Sequence, residues 1–118
     1  MRNQREHKLQ VACVKWFRFR FPKYKRLLWA TPNGGTRITL EAIKLKKEGV
    51  LPGVSDLSIM IPNKKYHGFF IELKVGKNTQ TENQKLFQND VRKMGYKYEV
   101  IRNFDTFVDM VTEYMNNR

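Results

Sequence analysis

Cysteine occurs once in this sequence, at position 13, and proline only four times. A single thiol excludes an internal disulfide framework and any cysteine-built zinc site, and it suits a reducing compartment. No apolar run approaches the roughly 18 residues that a membrane-spanning helix requires. The opening residues, Met1-Arg2-Asn3-Gln4-Arg5-Glu6, lack the apolar core of a secretion signal. These absences predict an intracellular, cytoplasmic protein with no membrane partner. Acidic residues are scarce as well: 11 Asp and Glu stand against 23 Lys and Arg, a formal charge of +12. So large an excess on 118 residues predicts a polyanionic partner, without by itself naming nucleic acid.

What is present suits a folded domain. Hydrophobic residues make up 41% of the chain and aromatic residues 13%, enough for one modest core and one domain over 1–118. The stretch from 49 to 74 organises the rest. Leu57, Ile59 and Ile61 alternate with Asp56, Ser58 and Met60, and Phe69, Ile71 and Leu73 alternate with Phe70, Glu72 and Lys74. Period-two alternation predicts two strands, with 63–67 as the hairpin turn. With Pro62 opposite Gly68, Ser58 faces Glu72 and Asp56 faces Lys74. Asp56 and Glu72 are then diagonal neighbours on one face, their Cβ atoms about 7 Å apart. Two carboxylates about 5 Å apart repel by roughly 3 kcal/mol at an effective dielectric of about 20. Such a pair calls for a cation or a shared proton, and its oxygen donors favour Mg²⁺ or Mn²⁺ over zinc.

Other elements surround this hairpin. A helix over about 4–20 carries an apolar stripe of Leu9, Cys13, Trp16 and Phe17, with Ala12 beside it. Glu6 and Gln10 extend that stripe and are expected to look inward. A turn at Pro22 leads to a strand over 27–30, closed by Thr31-Pro32-Asn33-Gly34-Gly35. A second helix over about 36–48 carries Arg37, Lys44, Lys46 and Lys47 and ends at Gly49 as a left-handed cap. Gly49 and Gly53 bend the chain before Asp56. A third helix over about 81–94 places Gln84, Phe87, Val91 and Met94 on one stripe. Gln84 either closes a capping box with Thr81 or aims at the sheet near Glu72. A strand over 97–101 and a last helix capped by Asn103 complete the chain. The order predicts an α/β domain with a mixed central sheet flanked by helices on both faces. His7 and His67 read as surface residues, and Trp16 and the last helix as core, with a dimer surface as the alternative for those two.

The chemistry that suits the constellation is phosphodiester hydrolysis. Asp56 and Glu72 hold a divalent cation that polarises the scissile phosphate and acidifies a water, with the Leu73 backbone carbonyl as a further donor. Lys74 orients the nucleophile or offsets charge developing on the phosphate.

These residues carry a resemblance. Glu6-X-X-X-Gln10, Asn33-Gly34-Gly35, Gly49-X-X-X-Gly53-X-X-Asp56-Leu57, Ile71-Glu72-Leu73-Lys74 and Gln84 follow one another along nearly the whole chain, and together they resemble a VRR-NUC domain. That family is a branch of the PD-(D/E)XK nuclease superfamily, with a restriction-endonuclease-like core. The resemblance implies a metal site of Asp56 and Glu72, a catalytic Lys74, and supporting roles for Glu6 (toward the metal, through a water) and Gln84. Ser55 stands where the family's proline usually precedes the aspartate. Small stand-alone, virus-type members are similar to Holliday-junction resolvases, so the resemblance further implies a homodimer acting on branched DNA, four-way junctions in particular. A two-fold junction needs two cuts and this chain offers one site, which an isologous dimer doubles. Two alternatives remain open. One is a flap or single-strand-specific nuclease using the same site, and the other is a non-catalytic basic nucleic-acid-binding module.

Overall fold

The computed structural model describes residues 3–32 and 39–118. The Asn33-Gly34-Gly35 motif and the expected helix start at 36–38, Arg37 included, lie outside them. Asn3 opens α1 (Gln4–Arg20), its side-chain oxygen accepting the Arg5 N–H at 2.7 Å. Cys13 and Phe17 are fully buried; Leu9 and Trp16 pack partly buried beside them, and Ala12 is exposed. Pro22 does more than turn the chain. The segment Pro22–Leu27 winds as a short 3₁₀ helix, begun by a proline whose missing N–H has no partner to lose there.

A four-stranded sheet follows in the order β1 (Leu28–Ala30), β2 (Leu57–Ile59), β3 (Phe69–Leu73), β4 (Lys97–Ile101). β1–β2 and β2–β3 are antiparallel and β3–β4 is parallel, so the sheet is mixed as expected. Between β1 and β2 lies α2 (Thr39–Lys47), which buries no residue; Gly49 follows at φ +100°, the left-handed geometry that glycine tolerates. β3 and β4 are joined through α3 (Glu82–Lys93), and α4 (Phe104–Asn116) ends the chain.

The pleat sorts the side chains into two layers. Phe69, Ile71 and Leu73, with Leu57 and Ile59, face α1 and α4 and form the core with Phe107, Val111, Tyr114 and Met115. Phe70 and Glu72 point to the other face, beneath α3, where Phe87 meets Phe70 edge-on at 5.3 Å. Met94 departs from the expected stripe: it is the C-cap of α3, beyond the last helical residue, and is 70% exposed.

The hairpin register differs from the sequence expectation by two residues. Ile59 pairs with Phe69 and Leu57 with Ile71, so Ser58 lies opposite Phe70 rather than Glu72. Pairing stops at Ile59 because the connection over 60–68 is tied elsewhere. Pro62 has no N–H to give a ladder. Asn63 Oδ1 accepts the backbone N–H groups of Lys65 and Tyr66 at 2.9 and 2.7 Å. The Tyr114 hydroxyl donates to the Ile61 carbonyl at 2.6 Å, and the Lys64 N–H donates to the Asn117 carbonyl at 2.8 Å. The loop therefore belongs to the end of α4. A slip of two residues, unlike a slip of one, leaves every side chain on its predicted face.

Candidate active site

Asp56 sits one residue ahead of β2. Its carbonyl accepts the Thr31 N–H at 3.0 Å and its Oδ2 accepts the Leu73 N–H at 2.8 Å. The side chain thus stands in for a ladder partner at the end of β3. Continuing the observed register by one residue sets Asp56 across from Glu72. The two carboxylates are therefore directly opposed, about 4.5–5.5 Å between Cβ atoms for such a pair, rather than diagonal. Both are nearly covered, with 6% of Asp56 and 2% of Glu72 exposed.

Glu72 is held through Oε2. Gln84 Nε2 donates to it at 3.0 Å and Lys74 Nζ lies 3.8 Å away, with 12% of the lysine side chain exposed. The alternation of β3 puts Glu72 and Lys74 on one face, so the three expected groups share one largely covered patch, of which Lys74 is the most exposed member. Lys74 donates its backbone N–H to the Ile101 carbonyl on the β4 side, whereas Leu73 turns its N–H toward Asp56. In an extended strand a residue's N–H and C=O point the same way, so the Leu73 carbonyl also faces the aspartate side.

Both readings of Gln84 hold at once. Its Oε1 accepts the Thr81 N–H at 2.9 Å and its own N–H reaches Thr81 Oγ1 at 3.2 Å, closing the capping box, while its Nε2 serves Glu72. What brings α3 over the carboxylates is Gly53. It has φ +89°, and a Cβ there would lie 2.5 Å from the backbone carbonyl carbon of Asn83 in the first turn of α3. Only a residue without a side chain allows that approach.

The Tyr98 hydroxyl registers both carboxylates. Burial, first of all, pushes it up to about 12. The hydrogen bond from Gln80 pulls the other way, and the negative charges of Glu72 and Asp56 add to the rise.

Glu6 meets a partner that its spacing did not name. Its Oε2 accepts from Asn78 Nδ2 at 3.0 Å, in the turn after Lys74, and among the described residues no three His, Cys, Asp or Glu side chains gather as a metal group. The same turn is gripped from the other side by Arg102 Nη1, which donates to the carbonyls of Gly76 (3.2 Å) and Asn78 (2.8 Å). Neither Arg102 nor Asn78 carries a periodic signal that sequence reasoning could use. A groove of about 990 Å³ between the 60–68 loop and α4, lined by Tyr66, Lys97, Asp109 and Glu113 among others, contains none of the carboxylate-site residues.

Two opposed carboxylates and a lysine at one end of a mixed sheet, covered by a helix N-terminus, is a specific arrangement, and it coincides with a family assignment. A family model described as the VRR-NUC domain matches residues 2–105. The chain belongs to the VRR-NUC family. A solved structure described as a VRR_NUC domain protein is similar throughout, with 26% sequence identity and a TM-score of 0.84 over 99% of this chain and 93% of that one. No curated protein matches. The protein is thus a nuclease-type domain of α/β architecture. Within the VRR-NUC pattern Ser55 replaces the usual proline. It is fully buried, and its hydroxyl donates to the Leu57 carbonyl at 3.2 Å. A hydrogen bond takes over part of the work of a ring in fixing the approach to Asp56.

Proposed function

We propose that this VRR-NUC domain is a Mg²⁺- or Mn²⁺-dependent, structure-selective DNA endonuclease that cuts four-way junctions as a homodimer. The observation that carries the reading is the opposition of Asp56 and Glu72 on one face of the sheet, with the Lys74 ammonium 3.8 Å from Glu72.

The donor set fits the ion. Asp56, Glu72 and the Leu73 carbonyl offer oxygen alone, which suits Mg²⁺ or Mn²⁺ and disfavours zinc. Mg²⁺ typically binds one or two carboxylates and keeps several waters, so Glu6 is not required as a third ligand. When bound, the ion supplies Lewis acidity toward a phosphate oxygen and lowers the pKa of a water.

The chain's own residues do the rest. The Leu73 N–H fixes the Asp56 carboxylate and Gln84 fixes Glu72, so neither reorients as charge develops. Lys74 holds a positive charge at the least covered edge of the patch, where it balances charge building on a phosphate. Burial of the carboxylates lowers the local dielectric and strengthens these interactions. The +12 charge, with Lys44, Lys46 and Lys47 exposed on α2, supplies phosphate contacts that respond to shape rather than sequence. One site per chain and two symmetric cuts per junction argue for an isologous dimer.

The test is cleavage of labelled four-way junctions, flaps, forks and duplexes with Mg²⁺, Mn²⁺ or EDTA, alongside the mass in solution. Metal-dependent cutting of the junction by a dimer is the expected result. Cutting confined to flaps or single strands replaces the junction reading, and binding without cutting in either metal favours a non-catalytic module.

A further inference from the structure

Away from the carboxylates, the outer face of α1 carries an unusual side chain. Phe19 is 86% exposed, the most exposed large apolar residue among those described. It stands in a purely basic stretch, with no Asp or Glu between Glu6 and Glu41. Arg18 and Arg20 flank it. Lys15 lies one helical turn before it on the same face, and Lys23 follows just past the helix end. Neighbouring rings already carry cations. The Arg20 guanidinium is 4.9 Å from the Phe21 ring centroid, and the Arg118 guanidinium is 4.8 Å from that of Tyr24. No such ring or cation contact is seen for Phe19 among the described residues, and the side chain stands largely in solvent.

We infer that this face of α1 binds an unpaired nucleic-acid strand, with Phe19 stacking on a base while Lys15, Arg18, Arg20 and Lys23 hold the flanking phosphates. The inference rests on the nucleic-acid reading above and names which part of the substrate this surface takes. Aromatic rings interleaved with cations are how single strands are held without regard to sequence. A base inside a duplex is already stacked on both sides and offers no face to Phe19, so the site selects unpaired segments. A second copy of this chain fits poorly, because it brings the same positive charges to the contact. A membrane surface fits poorly too, since an interfacial helix needs a broad apolar face and the apolar face of α1 is spent on the core. Along α1, Phe19 lies about 20 Å from Glu6, which abuts the turn after Lys74. That is about six nucleotides at roughly 3.4 Å each. The held segment is therefore an unpaired tail about six nucleotides from the carboxylate patch, as on a branched substrate that carries a single-stranded end.

Binding in EDTA, where cleavage is absent, isolates this surface. Anisotropy with labelled oligothymidylate and a duplex of equal length is measured for wild type, Phe19→Ala, Phe19→Trp and the Arg18→Ala/Arg20→Ala pair. The exposed site makes folding of all three variants a safe control, checked by circular dichroism. Phe19→Ala weakens single-strand binding about ten-fold or more while leaving duplex binding unchanged, and Phe19→Trp restores it. The arginine pair weakens both ligands. Equal single-strand affinity for wild type and Phe19→Ala overturns the inference and leaves the nuclease reading standing. A Phe19→Ala defect seen instead with phosphatidylglycerol vesicles, or in the dimer mass, also overturns it. Absence of cleavage on every substrate, with the Phe19 effect intact, removes the nuclease reading and keeps this one.

Discussion

Gln84 and Glu72 are joined by a 3.0 Å hydrogen bond whose donor, Gln84 Nε2, is oriented by the opposite end of the same amide, where Oε1 accepts the Thr81 N–H. An amide has one acceptor end and one donor end. Turning it over breaks both bonds, so the N-cap of α3 and the carboxylate are set together.

The first prediction follows from that linkage. Thr81→Ala removes the cap acceptor and costs about 1 kcal/mol, with a modest loss of cleavage rate. Gln84→Ala strips a hydrogen bond from a buried carboxylate, costs about 1–3 kcal/mol, and lowers the rate further. Gln84→Glu sets a second carboxylate against Glu72 and is the worst of the three. Urea midpoints and single-turnover rates, measured together, should follow this order.

Gly53 and Gly49 make a matched pair. Both have positive φ, but a Cβ at Gly53 collides with the Asn83 backbone, whereas at Gly49 it meets nothing within 4 Å. Gly49→Ala should cost about 1 kcal/mol, the left-handed penalty alone. Gly53→Ala should cost at least twice that and depress cleavage, because α3 must move off the carboxylates. Equal urea midpoints for the two variants would show that the close approach does not matter.

Glu6 divides two roles cleanly. As an acceptor for Asn78, it can be replaced by glutamine, whose oxygen still accepts. Glu6→Gln is therefore expected to keep most of the cleavage activity, while Glu6→Ala and Asn78→Ala lose similar amounts by loosening the turn at 76–78. A metal titration of the cleavage rate checks the assignment: half-saturation should stay unchanged in Glu6→Gln, and a large rise would place Glu6 near the ion instead.

Much of this was legible in the residues. Alternation at 56–61 and 69–74 named the strands, Thr81 and Asn103 marked helix starts, and parity alone put Asp56, Glu72 and Lys74 on one face. The register was not legible. It depends on Asn63 and Ile61 meeting Tyr114, 51 and 53 residues further along the chain, and no local pattern encodes that. The hydrogen bond of Glu6 was hidden for the same reason: its partner, Asn78, is 72 residues away. Helical spacing put Glu6 on the stripe that extends Leu9 and Cys13, where it is half-buried, but could not say whom it would meet.

Three buried protons contribute to stability at alkaline pH. Burial raises Cys13 from 9.0, and Tyr98 and Tyr114 from 10.0, each to about 12. Raised values mean the fold keeps these groups neutral. Below about pH 9 both states hold the protons and the contribution is whole. Between about 9 and 12 the unfolded chain releases them first, so stability falls as pH rises, on the order of 3–4 kcal/mol per group. Thermal melts from pH 8 to 11 (about one-unit steps suffice) should show the decline, and Tyr98→Phe should flatten it. A melting temperature constant over that range would contradict the burial of these hydroxyls and the thiol.

The site itself is tested most directly by isosteric replacement. Asp56→Asn, Glu72→Gln and Lys74→Met keep shape while removing charge, and each is compared with wild type for junction cleavage in Mg²⁺ and junction binding in EDTA. Cleavage should fall by about 100-fold or more in all three, on the order of the loss from removing one group that stabilises transition-state charge, while binding persists. Wild-type cleavage rates in Asp56→Asn or Glu72→Gln would contradict the account.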